Sequence, residues 1–278
     1  MNWSRLSSTI ALMSCVLTGS MAARNRWAAY YSNQARPDEF RGYGLVIFDA
    51  DGHPALQPLA AEGTTVLGYL SLGEIERHRT WFAEVQQMGI LLGENRNWPG
   101  SYYVDLRDPR WQRVVIGRLV PALLTQGFRG VFLDTLDDPV ELERLDPERC
   151  RGMTAAAIAL VKELRRAFPS ITIMMNRGYA LLPEVGGHID IALGESVYGT
   201  YDFERKLYRA VPAAEYREQV QLLKQARKRN PALRICSLDY WDPADREGIR
   251  RIYREERANG FDPYVATVGL DQLMKEPR

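Results

Sequence analysis

GFRGVFLDTLDD, residues 127–138, is the stretch on which the fold turns. Val131 to Leu133 is a short apolar run, and Asp134, Asp137 and Asp138 put three carboxylates within the five residues that follow it. A strand with one wet face would alternate apolar and polar side chains. A run that is apolar throughout and then ends abruptly in charge reads instead as a strand of a parallel sheet, covered on both faces and opening onto a site at its carboxyl end.

Seven more runs of this kind flank it: Trp27 to Tyr31, Tyr43 to Phe48, Thr64 to Leu70, Ile171 to Met175, Ile189 to Leu193, Leu233 to Leu238 and Pro263 to Val268. Helical spacing lies between several of them. Trp111, Val115, Leu119 and Leu123 recur every fourth residue, and Met153, Ala157, Ile158, Val161 and Leu164 mark another apolar stripe. Tyr216, Val220, Leu223 and Ala226 predict a further helix, and Asp242-Pro243 reads as an N-cap and first-turn proline opening the last one. Eight strands alternating with helices predict a single-domain α/β fold, the (β/α)8 TIM barrel. The crossovers 33–42, 54–63 and 178–187 are short for good helices, which leaves a doubly wound open sheet as the second fold the pattern admits.

With 278 residues and 46% hydrophobic content, the chain has material for one large core. Residues 1–22 are set apart: Arg5 precedes an apolar run, Ile10 to Leu17, too short to span a bilayer, and Ser20-Met21-Ala22 has the small residues a signal peptidase accepts. The expectation is a cleaved signal peptide, a mature domain over 23–278 and a secreted or periplasmic location. Leu12-Met13-Ser14-Cys15 loosely resembles a lipoprotein box, so acylation at Cys15 is the second reading. Losing Arg5 takes the formal charge from +1 to 0, and no basic run points to nucleic acid. The expected protein is a monomer with no transmembrane segment. Cys150 and Cys236 are either one disulfide or two buried thiols.

In a parallel barrel the chemistry sits where strands end. The first strand ends in Tyr30, Tyr31 and Asn33, the second in Asp49 and Asp51, the third in Ser71 and Glu74, the fourth in Asp134, Asp137 and Asp138, the fifth in Asn176 and Arg177, the sixth in Glu195, the seventh in Asp239, Tyr240 and Trp241, and the eighth in Asp271. Carboxylates dominate this rim. One explanation is an oxygen-ligand metal site built from Asp49, Asp134 and Asp137, although His53, His78 and His188 are not at strand ends and no HExxH or EF-hand spacing occurs. A second is glycoside hydrolysis, with Asp134 and Glu195 as the two carboxyl groups facing one cleft. The third is structural: Asp137 and Asp138, just before Pro139, fit a turn or cap, whereas Asp134 stays on the strand register.

YYSNQ (30–34), VIFDAD (46–51), VLGYLSLGEIE (66–76), WPGSYYVDLRDPRWQ (98–112), GFRGVFLDTLDD, MMNRGYALLP (174–183) and ALGESVYGTYD (192–202) together resemble glycoside hydrolase family 114, the endo-α-1,4-polygalactosaminidase family of TIM-barrel proteins. The likeness runs in order over nearly the whole mature chain. It implies cleavage of α-1,4-linked galactosamine polymers, with Asp134 and Glu195 as the catalytic pair and no cofactor. The chain reads Gly-Phe-Arg-Gly at 127–130 where the family usually reads Gly-Phe-Asp-Gly, a position ahead of the strand on the stability face.

A polymer carrying an ammonium on each sugar suits a rim of Asp49, Asp51, Glu74, Asp134 and Asp239. Sugar faces also stack on aromatic rings, for which Tyr30, Tyr69, Tyr198 and Trp241 are the expected platforms, and Asn176 completes the expected binding set. A sugar-binding pseudoenzyme would keep the aromatics without needing both carboxylates. The long connection Ile75 to Arg110 is predicted to carry a short helix (81–88) and a short strand (102–105), and to wall a polymer-binding cleft.

Overall fold

The computed structural model describes residues 25–278; the predicted signal peptide and Cys15 lie outside them. All eight predicted strands form: β1 (Trp27–Tyr30), β2 (Leu45–Phe48), β3 (Thr65–Ser71), β4 (Gly130–Asp134), β5 (Thr172–Asn176), β6 (Ile191–Glu195), β7 (Arg234–Tyr240) and β8 (Asp262–Ala266). They pair in parallel, each with the next, in one eight-stranded sheet. The sheet curls into a nearly closed TIM barrel. Among the described residues β8 and β1 form no ladder; the indole of Trp27 donates to the Asp262 carbonyl at 2.7 Å and packs on Tyr264, and the Tyr31 amide donates to the Leu270 carbonyl at 2.7 Å.

The opening stretch shows how sequence sets this wall. Gly127 takes φ 111° and ends the helix Val120–Gln126, a left-handed stop that glycine adopts without strain. A β-carbon on Gly130 would lie 1.9 Å from the Thr172 carbonyl oxygen, so β4 and β5 can approach only if that residue has no side chain. Val131, Phe132 and Leu133 are then buried on both faces. Arg129 is exposed at the amino end of the strand, on the face away from the site.

Burial follows the predicted helical stripes. Met153–Ala167 buries Met153, Ala157, Leu160, Val161 and Leu164 against the wall, and Asp108 caps the helix that starts at Pro109 by accepting from the Arg110 amide. The three short crossovers hold one 3-10 turn (Pro37–Phe40), a six-residue helix (Leu56–Ala61) and a 3-10 turn running into Leu182–Val185, so a thin cover still lets the barrel curl. The last helix begins later than the Asp242-Pro243 reading. Asp242 closes a turn by accepting from Ala244, and Asp245 is the cap of Arg246–Ala258, accepting from the Gly248 amide at 2.9 Å. Cys150 and Cys236 are both buried and unpaired.

Two excursions rise above the carboxyl ends of the strands. After β3, strands Glu74–Glu76, Leu91–Glu94 and Ser101–Val104 form an antiparallel sheet, with the helix Phe82–Gln87 near its expected place. After β6, Gly199–Asp202 and Leu207–Ala210 form a hairpin. Neither Leu91–Glu94 nor the hairpin was expected. Leu-Leu-Gly-Glu does not alternate and carries a register shift at Gly93, and the hairpin turn passes through Lys206 at φ 54° without an Asn-Gly or Asp-Gly pair.

Candidate active site

Three strand ends meet at the barrel mouth. The side-chain amide of Asn176, on β5, donates to Asp134 Oδ1 of β4 at 2.9 Å and to Glu195 Oε2 of β6 at 2.5 Å. The two carboxylate oxygens therefore stand no farther apart than those bonds laid end to end. The second oxygen of Glu195 accepts from the Tyr240 hydroxyl at 2.5 Å.

Backbone geometry explains how three strands deliver their last side chains to one point. Thr135, Arg177 and Ser196, which follow Asp134, Asn176 and Glu195, have φ of 62°, 47° and 54°. Each non-glycine residue in this region costs on the order of 1 kcal/mol. The cost recurs at every one of the three ends, turning the chain away at once and leaving the preceding side chain on the rim. The turn at Thr135 is braced: its hydroxyl accepts from the Gly73 amide at 2.8 Å and shares a 2.8 Å bond with Ser71.

Burial raises the Asp134 carboxyl to about 6, helped by repulsion from Glu195 and opposed by the Asn176 amide. A cleft of about 610 Å³ surrounds the pair, floored by Phe132 and Leu238 and walled by Tyr31, Tyr69 and the two excursions. It holds seven carboxyl groups (Asp49, Glu74, Glu76, Asp134, Asp137, Asp138 and Glu195) against two arginines, Arg79 and Arg177.

The whole described chain fits one family model. The glycoside-hydrolase family GH114 matches residues 16–278. This chain belongs to glycoside hydrolase family 114. It is a glycoside hydrolase, and its fold agrees with that of solved relatives. The glycoside hydrolase domain of PelA from Pseudomonas aeruginosa superposes with a TM-score of 0.80 at 27% identity, over 90% of this chain and 98% of that one. Ega3 of Aspergillus fumigatus, solved in complex with galactosamine, shares the fold at TM-score 0.66 and 14% identity, over 92% and 96% of the two chains. An uncharacterized protein of Deinococcus radiodurans is 28% identical over 239 residues, spanning 82% of this chain and 73% of its own length.

Of the residues expected at this family 114 site, Asp134, Glu195, Asp49, Tyr69, Glu74 and Asn176 line the cleft, while Tyr30, Tyr198, Asp239 and Trp241 do not. Tyr30 faces outward from the barrel, its ring edge-on to Phe40 at 5.5 Å and its hydroxyl accepting from the Ala35 amide. The next residue along, Tyr31, faces the opposite way, reaches the cleft and packs edge-on against Tyr69 at 5.5 Å. On β7 the same alternation points Leu238 and Tyr240 inward and Asp239 out. Asp239 is fully buried behind the wall, where its carboxylate accepts from the amides of Tyr198 and Gly199 at 2.6 and 2.9 Å. Burial raises it to about 7, and raises its neighbour Glu256, also fully buried, to about 8. Tyr198 and Trp241 pack over Ile249, Ile252 and Tyr253 on the outside of the barrel, where the Trp241 indole donates to Asp245.

Sequence reading missed one cleft feature and favoured a structural role for another. Arg79, only 6% exposed, bridges Asp49 and Asp51, each at 2.8 Å, and Glu76 at 3.2 Å. Burial raises the Asp49 carboxyl, but the hydrogen bonds from Arg79 and two backbone amides win and hold it below the usual range. Of the three residues considered for a metal, Asp49 is paired with Arg79, Asp137 with Arg177 at 3.2 Å, and Asp134 accepts from Asn176; among the described residues no cluster of His, Cys, Asp and Glu is arranged to hold a metal ion. The second feature is Asp138, assigned above to a turn. It sits beside Glu74, and burial together with that neighbour raises its carboxyl to about 9. Glu74 in turn accepts from Asn95 at 2.5 Å and from the Ser101 hydroxyl, so the loop of the excursion after β3 is fastened to its own first strand.

Proposed function

We propose that this protein is an exported hydrolase of α-1,4-linked galactosamine-type polysaccharide that works through Asp134 and Glu195. The observation that carries the reading is the single Asn176 amide bonded to both carboxyl groups within one acidic cleft. So short a bridge favours the close spacing of about 5–5.5 Å used by retaining glycosidases over the wider spacing of inverting ones. Asp134 attacks the anomeric carbon while Glu195 gives its proton to the departing glycosidic oxygen. Glu195 then takes a proton from the water that breaks the glycosyl ester on Asp134, which returns the enzyme to its starting state.

Burial and repulsion from Glu195 hold the Asp134 carboxyl up, so its ionised, attacking form gains population as pH rises through the mildly acidic range. Tyr240 and Asn176 fix the orientation of Glu195. The surplus of carboxylates over arginines favours a cationic sugar chain, and galactosamine, the molecule bound in the Ega3 structure, has that charge. Export rests on the signal-like residues 1–22; a mature protein that keeps all of them would remove it.

The test offers purified protein de-N-acetylated and acetylated galactosaminoglycans and polygalacturonate, and measures new chain ends. Cleavage of the de-N-acetylated chain is expected, with the α-anomer appearing first by NMR. Asp134→Asn and Glu195→Gln should each lose orders of magnitude in turnover with the fold intact. Near-full activity in either variant removes that residue from the mechanism.

A further inference from the structure

The cleft is crossed overhead by two exposed aromatic rings. Trp98 sits on the loop between the second and third strands of the β3 excursion, and Phe203 on the turn of the hairpin after β6. β3 and β6 stand three places apart in an eight-strand wall, so their loops rise from nearly opposite sides of the mouth, with the ends of β4 and β5 between them. The rings nevertheless meet, centroids 5.4 Å apart and planes at 82°. Both line the cleft that contains Asp134 and Glu195.

This contact is no extension of the core. Trp98 is 56% exposed and Phe203 58%, the two most exposed large aromatics among the described residues. Phe203 is backed by Tyr201 at 5.2 Å, itself packed on Tyr208, whereas the indole of Trp98 has Phe203 as its aromatic neighbour. One edge-to-face contact between half-exposed rings is weak enough to open. Two apolar rings side by side over an otherwise acidic cleft offer a surface that the apolar face of a sugar can cover.

We propose that Trp98 and Phe203 form an opening clasp over the cleft: the rings part to admit a glycan chain, and the indole face then stacks on a pyranose beyond the pair of sugars being separated. Galacto-configured sugars suit it, because the axial 4-hydroxyl leaves the hydrogens on carbons 3, 4 and 5 together on one apolar face. The occupant is the cationic galactosamine chain, so the clasp rests on the substrate reading above.

The experiment uses the Glu195→Gln protein for binding and the active enzyme for kinetics, with de-N-acetylated α-1,4-galactosamine oligomers from the dimer upward. Acrylamide quenching of Trp98 is isolated by subtracting Trp98→Phe. Long oligomers should shield Trp98 and the dimer should not, while Phe203→Ala should expose it further in the free protein. Trp98→Ala should raise KM for long oligomers about five- to tenfold, with a smaller change for the dimer, and Trp98→Phe should recover most of the loss. If the enzyme cleaves the oligomers but Trp98→Ala matches it at every length, or long chains leave Trp98 unshielded, the clasp alone is overturned. If no oligomer is bound or cleaved, the substrate reading falls and the clasp with it.

Discussion

Asn176→Leu probes the bridge on which the mechanism depends. Asn176 is 4% exposed and its side-chain oxygen has no hydrogen-bond partner, so a leucine of similar volume leaves no new buried polar atom on that residue. What disappears is the donor to Asp134 and Glu195. A hydrogen bond to a charged group contributes about 1.5–3 kcal/mol, and about 1.4 kcal/mol corresponds to one pH unit, so losing the donor should raise the Asp134 carboxyl by roughly one to two units. Burial already raises the Asp134 carboxyl to about 6, and it must be ionised to attack. The acid limb of kcat/KM against pH should therefore move up by about one to two units, with the loss largest at acidic pH and recovering as pH rises. Chain-end release measured across pH tests this, with circular dichroism confirming the fold. An acid limb that stays where it is in the wild type, with activity lost equally at all pH values, would refute the reasoning.

Asp134, Asp138, Asp239 and Glu256 all have carboxyls raised by burial, to about 6, 9, 7 and 8. The folded protein therefore holds protons that the unfolded chain releases near pH 4, and this contribution to stability is lost as pH rises through the folded values. Tm should fall between pH 5 and pH 9, and a Tm that is flat or rising across that range counts against these assignments. Arg79→Leu leaves Asp49, Asp51 and Glu76 without their shared cation; with Asp51 half in water the cost belongs at the low end of the buried-pair range, about 3 kcal/mol, or roughly 6–12 °C in Tm. A loss under about 1 kcal/mol by urea titration would show that solvent already screens the cluster. Gly73→Ala puts a β-carbon 2.1 Å from the Thr135 carbonyl oxygen, which forces the turn behind Asp134 to move. Turnover should fall in the fraction that remains folded, and unchanged kcat would show that the turn does not position Asp134.

Deleting residues 95–101 would be a poor test of the cleft wall predicted for Ile75 to Arg110. Asn95 and Ser101 are the two residues that hold Glu74, so the deletion would unpin a buried carboxylate as well as remove Trp98.

The sequence determined the wall and the three strand ends that matter most. Apolar runs, helical stripes and the strand-to-charge junction at Leu133-Asp134 depend on neighbours a few residues away, and they were enough to place eight strands and to put Asp134, Asn176 and Glu195 at three of their ends. Which way the remaining rim residues face was decided only in three dimensions. Tyr30 against Tyr31, and Asp239 against Tyr240, differ by one step in a two-residue alternation, and either member of each pair looks suited to a site. Barrel curvature and helix cover choose between them. Arg79 among three carboxylates, Asp138 beside Glu74 and Trp98 against Phe203 join segments distant in the chain, and no local pattern records such meetings because electrostatic and aromatic contacts act through space.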